Sequence, residues 1–573
     1  MKNLEIAAIF YAMADILEIQ EVEWKPRAYR KAAKAIETLS EDVEEIYNKK
    51  GLKGLMEIPG VGERLAKKIE EYIKTGRVKE YERLKSSLPA GLDELIQIPG
   101  MGPKKSYLLY KTLKIKNIAD LEAAAKAHKI AKLRGFGPKS EENILRGIEI
   151  FKRGRERVLL GRALPIAQTI VDRLRQIKGV KHIEPAGSLR RMAETVGDID
   201  ILVTADNPQP VMDAFTTMPD VQEVLAKGPT KSMILLKGGI QTDVRVVEEK
   251  SFGSALQYFT GNKDHNIELR KIAIKKGYKL SEYGIFKGKK QIAGETEEEV
   301  YETLGLRWIP PELRENQGEI EAAMKDRLPT LIEYCDVKGD FHVHTLYSDG
   351  NDTIEEIAKA AIAYGHEFIC IADHSKSEHV AHGMDEERLL QQIKEIRALN
   401  KKLKNIRIFA GCEVDIKADG SLDYSDDILK QLDIISVSVH SGFKMPKEKM
   451  TERIITALEN KYVKILNHPT GRIINERPPY DVDLERIFEV ASQRRIAVEI
   501  NASPDRLDLN GQNVKRAIEM GVKIAIGTDS HNKDQLHYID LGVATARRGW
   551  AEKKDVLNTW SMTEIEKFFR INK

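Results

Sequence analysis

Cysteine is scarce in this sequence: three occur in 573 residues, at Cys335, Cys370 and Cys412. They form no closely spaced pairs, and Cys370 and Cys412 fall in apolar runs that are typical of strands. We therefore expect reduced cysteines, two of them in the core, and a cytoplasmic protein.

Long apolar runs are missing as well. No stretch approaches the roughly 18 residues that a membrane span needs, and the N-terminus has no charged-then-apolar signal pattern. We expect no membrane attachment. A large excess of charge is also absent, because the formal net charge is only +3. The total charge therefore gives no argument for nucleic-acid binding, although basic faces can exist beside acidic ones.

What is present points to several domains. With 573 residues, 42% hydrophobic and 32% charged, the chain has an ordinary globular composition but is too long for one core, so we expect three or four domains. Histidine is unevenly distributed: ten of the 13 histidines follow residue 341. Such crowding is a hint of a metal site.

A short signature recurs three times in the first 150 residues, whose apolar periodicity predicts helices. It reads Ile-Pro-Gly-Val-Gly at 58–62, Ile-Pro-Gly-Met-Gly at 98–102 and Leu-Arg-Gly-Phe-Gly at 133–137. Gly-apolar-Gly forms a tight turn whose backbone amides lie at a helix N-terminus, where they can hold a phosphate. Such hairpins grip the DNA backbone without reading bases. The candidate DNA contacts are Gly60, Gly62, Gly100, Gly102, Gly135 and Gly137.

Residues 187–200 indicate a second kind of site. A Gly-Ser turn followed by two arginines suits a polyphosphate. Asp198 and Asp200 open an apolar strand and project from the same face, where they are tolerable if they share divalent cations. Asp243, in a later apolar strand, would be costly to bury alone and completes a three-carboxylate, two-metal cluster. The alternative is a solvated turn before an edge strand.

From residue 340 the chain changes character. Apolar segments each end in residues of metal-ligand type, and helical segments separate them, as in a (β/α) barrel whose site lies at the carboxyl ends of the strands. These endings are Phe341-His342-Val343-His344, Asp373-His374, Cys412-Glu413, Val439-His440, Asn467-His468, Glu499-Ile500-Asn501 and Asp529-Ser530-His531.

The N-terminal and central motifs resemble those of the family X DNA polymerases, to which polymerase beta belongs. The resemblance implies that Asp198, Asp200 and Asp243 are catalytic ligands of Mg²⁺ or Mn²⁺, and that deoxynucleoside triphosphates bind at residues of the Gly-Ser-x-Arg-Arg and Tyr-Phe-Thr-Gly motifs and the helix that follows. These residues are Gly187, Ser188, Arg191, Gly197, Tyr258, Phe259, Gly261, Asn266 and Arg270. Tyr258 and Phe259 would line the sugar pocket and exclude a 2′-hydroxyl. One departure is Gln241, which stands where polymerase beta has an arginine.

The same resemblance extends to the N-terminal lyase domain of polymerase beta. It implies a 5′-phosphate pocket with Lys25 and Tyr29, and Lys68 as the Schiff-base nucleophile. That chemistry needs an unprotonated amine with a depressed pKa. The alternative is that Lys68, or the adjacent Lys67, is a lysine on a solvated helix.

The C-terminal part is similar to the PHP (polymerase and histidinol phosphatase) family of phosphoesterases, which has a distorted seven-stranded barrel with up to three metal ions. The resemblance implies one ion at His342, His344, Glu413 and Asp529, a second at Glu413, His440 and His468, and a third at Asp349, His374 and His531. Mixed imidazole and carboxylate ligands suit Mn²⁺, Zn²⁺ or Fe.

These observations predict a multidomain chain: an all-α helix-hairpin-helix N-terminal region, an α+β nucleotidyltransferase palm and thumb, and a C-terminal distorted (β/α)7 PHP barrel. The expected bounds are a lyase-type domain at 1–85, fingers at 86–154, the palm at 155–248, the thumb at 249–315, a linker at 316–336 and the barrel at 337–573.

The resemblance implies a monomeric, gap-filling DNA polymerase of base excision repair. Its partners would be gapped or primed double-stranded DNA and deoxynucleoside triphosphates, and it would carry a Mn²⁺-dependent 3′-5′ exonuclease or 3′-end-processing activity. Two alternatives stay open: a template-independent nucleotidyltransferase on the same palm, and a repair scaffold whose PHP domain is inactive.

Overall fold

A computed structural model describes residues 2–20, 22–37, 39, 43–86, 92–96, 98, 101–133, 135–155 and 157–571. The chain divides into two compact units. We call residues 1–156, with which 473–478 cluster, the N-terminal unit, and residues 157–472 and 479–573 the C-terminal unit. No helix among the described residues is long and apolar enough to span a membrane.

The N-terminal unit is helical where it is described, as the apolar periodicity predicts. One core gathers around Phe10, Ile36 and Ile69, and another around Leu109 and Ile144. The helices are α1 (Lys2–Ile19), α2 (Lys25–Glu37), α3 (Val43–Met56), α4 (Glu63–Thr75), α5 (Lys79–Ser86), α6 (Leu92–Ile96), α7 (Pro103–Leu113), α8 (Ile118–Lys126) and α9 (Pro138–Arg155).

The C-terminal unit begins with a five-stranded sheet in the order β2-β4-β7-β6-β5, with β1 paired to β3 beside it. Its strands are β1 (Val158–Leu159), β2 (Val180–Pro185), β3 (Thr195–Val196), β4 (Asp198–Ala205), β5 (Val221–Lys227), β6 (Lys231–Leu236) and β7 (Gln241–Val246). The helices of this region, which we call the palm, are α10 (Leu160–Arg175), α11 (Gly187–Arg190) and α12 (Pro208–Thr216).

A smaller region, the thumb, follows the palm and contains the three-stranded antiparallel sheet β10-β9-β8. Its apolar core includes Leu269, Val300 and Ile309. The elements from here to the barrel are α13 (Phe252–Thr260), α14 (Lys263–Lys275), β8 (Lys279–Ser281), β9 (Gly284–Lys287), β10 (Lys290–Ala293), α15 (Glu297–Thr303) and α16 (Glu319–Met324).

Seven parallel strands, in sequence order, form the C-terminal barrel: β11 (Gly339–Val343), β12 (Phe368–Ile371), β13 (Arg407–Asp415), β14 (Ile434–Ser438), β15 (Val463–Leu466), β16 (Ala497–Asn501) and β17 (Ile524–Gly527). The seam between the first and last strands is linked by backbone hydrogen bonds from His344 N to Ser530 O (2.8 Å) and from Asp529 N to His342 O (2.9 Å). The barrel is therefore nearly closed, and its strands bring their carboxyl ends together.

Helices connect and flank these strands, each with an apolar face against the barrel. They are α17 (Ile354–Tyr364), α18 (Glu386–Lys402), α19 (Asp426–Leu429), α20 (Lys447–Leu458), α21 (Leu484–Arg494), α22 (Gly511–Glu519), α23 (Ile539–Arg548) and α24 (Met562–Phe569). Cys370 and Cys412 are buried and free, as expected, whereas Cys335 is exposed and free.

Two candidate metal centres

Three aspartates lie near the amino ends of two neighbouring inner strands of the palm sheet. β4 and β7 run parallel, and their register places Asp200 directly beside Asp243 and Asp198 beside Gln241. Asp198 and Asp200 lie two residues apart on one strand, so their side chains leave the same face. Asp243 is 5% exposed, while Asp198 is open to solvent. The fold thus brings together the carboxylates that the sequence places more than 40 residues apart.

The negative charge of these three carboxylates is not fully balanced by positive side chains nearby. Burial, followed by the nearby Asp198 and Asp243 carboxylates, raises the pKa of Asp200 to about 7. Asp243 has two partners, Lys231 Nζ at 3.1 Å and Gln241 Nε2 at 3.0 Å. A site that holds three carboxylates against their mutual repulsion fits divalent cations with oxygen ligands. The carboxylate oxygens of these three aspartates do not all lie within 4.8 Å of one another.

Gly187 allows the backbone to pass close to these carboxylates. Its φ is +62°, and a Cβ at this position would lie 2.9 Å from Asp200 Oδ2, so any side chain would displace the carboxylate. Ala186 N donates to Asp200 O at 2.8 Å and fixes the turn against β4. Ser188 follows in the short helix α11, and Gly197 joins β3 to β4.

The two arginines of the turn have different surroundings. Arg190 donates to both carboxylate oxygens of Glu297 at 2.7 and 2.8 Å. Arg314, which is fully buried, donates to the same carboxylate at 2.6 and 3.0 Å. Burial alone would raise the pKa of Glu297, but Arg314 and Arg190 hold it well below its usual range. This buried ion cluster ties the palm to the thumb, and the sequence offered no local signal for Glu297 or Arg314.

Arg191 is held by the end of α13 and by the segment before α16. Its Nε donates to Glu315 Oε1 at 3.0 Å, and a second guanidinium nitrogen donates to Thr260 O. Gly261 is close by: a Cβ there would lie 3.3 Å from the Arg191 guanidinium. These contacts orient the arginine that the resemblance assigns to triphosphate binding.

The aromatic pair of the Tyr-Phe-Thr-Gly run ends α13. The rings of Tyr258 and Phe259 are half-buried and meet edge to face, with centroids 5.1 Å apart. Arg245 lies over Phe259 at 4.6 Å and Arg270 over Tyr258 at 5.8 Å. Asn266 is 7% exposed and donates to Tyr258 O at 2.7 Å, so its amide braces the end of α13 in this structure.

The hairpins of the N-terminal unit repeat one backbone turn. The residue between the two glycines donates its N–H three residues back in each copy: Val61 to Ile58, Met101 to Ile98 and Phe136 to Leu133, at 2.9 to 3.0 Å. Gly62 and Gly102 directly precede α4 and α7, and Gly137 precedes α9. A Cβ at any of these three glycines would meet open space. Gly60 and Gly135 adopt positive φ, and Gly100 lies outside the described residues.

Two of the three candidate lyase residues, Lys68 and Tyr29, interact within the N-terminal unit. Lys68 Nζ pairs with Glu80 Oε2 at 2.8 Å, and its side chain is 16% exposed. Burial disfavours its charge, but Glu80 and Tyr29 outweigh burial and raise the pKa of Lys68. Tyr29 is buried against Phe10, and Lys25 is exposed at the start of α2. The direction of this shift is opposite to the depressed pKa that a Schiff-base lysine needs.

Nine residues of ligand type meet at the carboxyl end of the barrel. Each strand ending or adjoining loop contributes at least one, because parallel strands in a barrel end on the same face. The exception is β16, whose contribution is described below. The nine are His342 and His344 (β11 and its end), Asp349 (the loop before α17), His374 (after β12), Glu413 (β13), His440 (after β14), His468 (after β15), and Asp529 and His531 (after β17).

Glu413 is the hub of this cluster. Its carboxylate is 2.8 Å from His468 Nε2, 3.1 Å from His374 Nδ1, 3.4 Å from His342 Nε2 and 3.6 Å from His440 Nε2. It is fully buried, yet His342 and His440 hold its pKa well below the usual range. An ionised carboxylate among several imidazoles can bridge cations.

The ligand atoms fall into three overlapping groups, each drawn together within 4.8 Å: His344, Asp349, His374 and His531; His342, His344 and Asp529; and His374, Glu413 and His440. His344 and His374 are shared between groups, and His468 joins through Glu413. The same nine residues therefore cluster, but the grouping differs from the set that the resemblance implies for each ion. That distribution among ions stays a prediction.

The surroundings of His344 fit a divalent cation. Burial and the neighbouring His531 lower the pKa of His344 to about 3, so its imidazole is neutral. Its Nδ1 is buried with no hydrogen-bond partner among the described residues, and its Nε2 is 3.0 Å from His342 Nε2. A neutral imidazole with an unpartnered nitrogen, beside ionised carboxylates, is the donor set that a transition metal prefers.

A surrounding shell of carboxylates orients the ligands. Glu499 on β16 accepts from His342 Nδ1 at 2.6 Å and from His468 N at 2.7 Å. Asp340 accepts from the backbone of His342 and of Thr528, each at 3.0 Å. Such partners fix the ring orientation of a ligating histidine. Glu499 stood among the strand-end residues, but its role follows only from the distances.

One further charged group faces the cluster and was missed in the sequence. Arg506, in the loop after β16, places Nε 3.5 Å from Asp529 Oδ2. No spacing or motif in the sequence distinguishes Arg506 from other arginines.

Family models match four parts of the chain: a helix-hairpin-helix domain at residues 1–78, a SAM-like helix-hairpin-helix tandem at 92–149, a DNA polymerase beta thumb at 255–315 and a PHP domain at 340–503. Among curated proteins, the DNA polymerase/3′-5′ exonuclease PolX of Bacillus subtilis (strain 168) is 40% identical over 580 residues, covering 100% of both chains. A probable phosphatase of Thermoanaerobacter sp. (strain X514) is 32% identical over 232 residues, 38% of this chain and 89% of its own. A probable phosphatase of Shewanella sp. (strain ANA-3) is 29% identical, over 34% of this chain and 75% of its own.

A polymerase-type thumb on an acidic palm, joined to a histidine-rich PHP barrel, defines an enzyme with two separate centres for phosphate chemistry that use divalent metal ions. The full-length likeness narrows this class: the chain belongs to the family X DNA polymerases that carry a C-terminal PHP domain.

Proposed function

We propose that this chain is a template-directed DNA polymerase that fills short gaps and also shortens 3′ ends, in base excision repair. The observation that carries the proposal is the pairing of Asp200 with Asp243 in the β4–β7 register, in a chain that holds a second ligand cluster at His342 and Glu413. Two unlike metal centres in one chain support two unlike reactions on the same substrate, synthesis and hydrolysis.

At the palm, Asp198, Asp200 and Asp243 would hold Mg²⁺ or Mn²⁺, because the site offers oxygen ligands only. When bound, such ions neutralise the charge that develops as a phosphoryl group is transferred. Ser188 and Arg191 would bind the triphosphate, and Gly187 and Gly197 would let the backbone approach it. Tyr258, Phe259 and Gly261 would line the sugar, with Asn266 and Arg270 nearer the base pair.

At the barrel, His342, His344, Asp349, His374, Glu413, His440, His468, Asp529 and His531 would hold up to three ions of Mn²⁺, Zn²⁺ or Fe. Ions in such a site polarise a phosphodiester and activate water for its hydrolysis. Glu499 keeps the rings of its ligands oriented. The 3′-5′ exonuclease named for the Bacillus subtilis relative is the activity that this centre supports best.

DNA binding would rest on the hairpin turns of the N-terminal unit. Gly62, Gly102 and Gly137 leave open space before three helices, where a DNA phosphate can approach the backbone amides. Lyase activity at Lys68 stays a separate prediction, because the pKa of Lys68 is raised rather than lowered. Borohydride trapping of a 5′-deoxyribose phosphate end, in wild type and in Lys68→Ala, would test it.

The main test uses one gapped DNA substrate and follows extension and degradation on the same gel. We expect Asp200→Ala to abolish synthesis and leave digestion intact, and His342→Ala to do the reverse. Asp206→Ala and His537→Ala, which change exposed residues of the palm and the barrel, are the matched controls.

Three outcomes would contradict the proposal. Synthesis that does not depend on the template would indicate a template-independent nucleotidyltransferase. Absence of Mn²⁺-dependent digestion by the wild type would favour a scaffold with an inactive PHP domain. Survival of both activities in both single-site variants would show that the residues are wrongly assigned.

A further inference from the structure

The last residue of α23, Arg548, reaches from the barrel into the palm. Its guanidinium donates to the backbone carbonyl of Arg191 at 2.6 Å and to Glu315 Oε1 at 3.0 Å. The side chain of Arg548 is 17% exposed. A barrel residue therefore contacts the arginine to which triphosphate binding is assigned, and the carboxylate that holds it.

Glu315 is shared by three donors. One oxygen accepts from Arg191 Nε and from Arg548, both at 3.0 Å, and the other accepts from Asn262 Nδ2 at 2.9 Å. A single negative charge between two guanidinium groups attracts each of them less strongly than it would attract one alone, since the two positive charges repel. Arg548 therefore weakens the hold of Glu315 on Arg191.

Glu315 and a triphosphate would compete for Arg191. Both are anions with geometry that suits a guanidinium fork. If Arg548 were absent, Arg191 would be the only arginine paired with Glu315, in a half-buried setting where ion pairs are stronger than in water. The pair would then be harder to break when a nucleotide arrives.

We propose that Arg548 is a positioning residue for synthesis: by sharing Glu315, it leaves the charge of Arg191 available to the incoming triphosphate. This inference rests on the proposed role of Arg191 in the palm. It assigns to the PHP barrel a part in nucleotide binding that is independent of its own ligand cluster.

A second ion pair between barrel and palm provides the control. Arg472, after β15, donates to both oxygens of Glu194 at 2.8 and 2.9 Å. This pair also links the two regions, but among the described residues Arg472 forms no hydrogen bond or ion pair with Glu315 or Arg191. A cavity of about 270 Å³, lined by residues that include Glu194, Glu315 and Arg548, lies at this junction and gives the Glu315 pair room to rearrange.

The test measures the KM for nucleotide and kcat of gap filling, and the rate of 3′-end digestion, for Arg548→Gln, Arg548→Lys and Arg472→Gln. We expect Arg548→Gln to raise the nucleotide KM about five- to tenfold, the scale of coupling within one ion network, with little change in kcat. Arg548→Lys should recover most of the loss, because it keeps the charge. Arg472→Gln should leave the nucleotide KM unchanged, and both Arg548 variants should digest DNA like the wild type.

Glu315→Gln supplies an independent arm that keeps Arg548. It should lower the nucleotide KM, because the competitor for Arg191 loses its charge, and Arg548→Gln should have no further effect in that background. An unchanged KM in Arg548→Gln, an equal rise in Arg472→Gln, or a rise in Glu315→Gln would each overturn the proposal.

Arg191→Ala separates this inference from the function on which it rests. An unchanged nucleotide KM in Arg191→Ala would show that Arg191 does not bind triphosphate, and the proposed palm assignment would fail. A large rise in Arg191→Ala with no effect of Arg548→Gln would keep the palm assignment and refute only the role of Arg548.

Discussion

The palm and barrel centres differ in how much of a metal site the protein itself provides. The palm contributes three carboxylates near the amino ends of two neighbouring strands. Asp198 is open to solvent, and Asp243 is paired with Lys231. The barrel contributes nine ligand-type residues, most of them buried, around the hub of Glu413. The palm therefore supplies only part of a metal coordination shell, whereas the barrel supplies most of one.

This difference follows from what each centre would bind. A polymerase site receives a triphosphate, which brings its own oxygen ligands, so the protein need only supply the remaining ones. A hydrolase that acts on successive 3′ ends must keep its ions between substrates, and imidazole nitrogens with carboxylates hold them more firmly. We therefore expect the barrel to retain its metal ions without substrate. The palm should bind its ions tightly only when a nucleotide is present.

The largest expected effect is a loss of synthesis at the palm, with digestion at the barrel unchanged. Asp243→Asn should reduce synthesis by about 10³-fold or more, the scale of losing a charge-stabilising group in phosphoryl transfer. Digestion should be unchanged, because β7 takes no part in the barrel. Primer extension and digestion rates measure the two effects, with Asp206→Asn as the control. Synthesis near the wild-type rate would mean that the third carboxylate is not a ligand.

A change next to the barrel ligands should have an intermediate effect. Glu499→Gln removes the negative charge that His342 Nδ1 faces at 2.6 Å, and we expect a loss of about 10- to 100-fold in metal affinity or digestion. Metal content after desalting and the digestion rate report it, while synthesis should not change. Glu489→Gln, on the outer side of α21, is the control. Full metal content with normal digestion would show that Glu499 is dispensable.

A change in the proposed sugar pocket should alter nucleotide selection at the palm and leave the barrel unaffected. Tyr258→Ala should reduce discrimination against ribonucleotides by about tenfold, as expected when a steric contact in a binding pocket is lost. Competing incorporation of deoxyribonucleotides and ribonucleotides measures it. Tyr283, which is 65% exposed in the thumb, provides the control variant Tyr283→Ala. Unaltered discrimination would place the sugar away from α13.

The smallest expected effect is a weakening of DNA binding, which should lower synthesis and digestion equally. Gly62→Asp puts a negative charge where a DNA phosphate is expected, and we predict about three- to tenfold weaker DNA binding, the value of one hydrogen bond. Gly62→Ala should be nearly neutral, since a Cβ there meets open space. Binding titrations and both reaction rates test this. A loss confined to one reaction would show that this hairpin does not bind the DNA used by both centres.

Much of the fold and of both sites could be predicted from the sequence. The fold class is confirmed, with helical hairpins, a polymerase-type thumb and a nearly closed seven-stranded barrel. Ligand types at successive strand ends predicted one shared site because every parallel strand of a barrel presents its carboxyl end to the same face. The particular set of nine residues came from the resemblance to the PHP family. Asp198 and Asp200 followed from the two-residue period of a strand.

Other features depend on packing between distant segments. Glu297 gathers Arg190 and Arg314 across 107 and 17 residues, and no local pattern marks it. The ligand groups share His344 and His374, whereas the resemblance implies that two of the ions share Glu413. The pKa of Lys68 depends on Glu80 and Tyr29, which the motif alone does not place.

Local sequence patterns were enough to predict phosphate-binding turns, a carboxylate pair on one strand face and ligand types at successive strand ends. These are local properties, set by backbone geometry within a few residues. That Asp243 lies beside Asp200, and that Arg548 contacts Glu315 across 233 residues, is visible only in the folded chain. Register and interface contacts arise from packing between whole elements, so they appear only when the chain is folded.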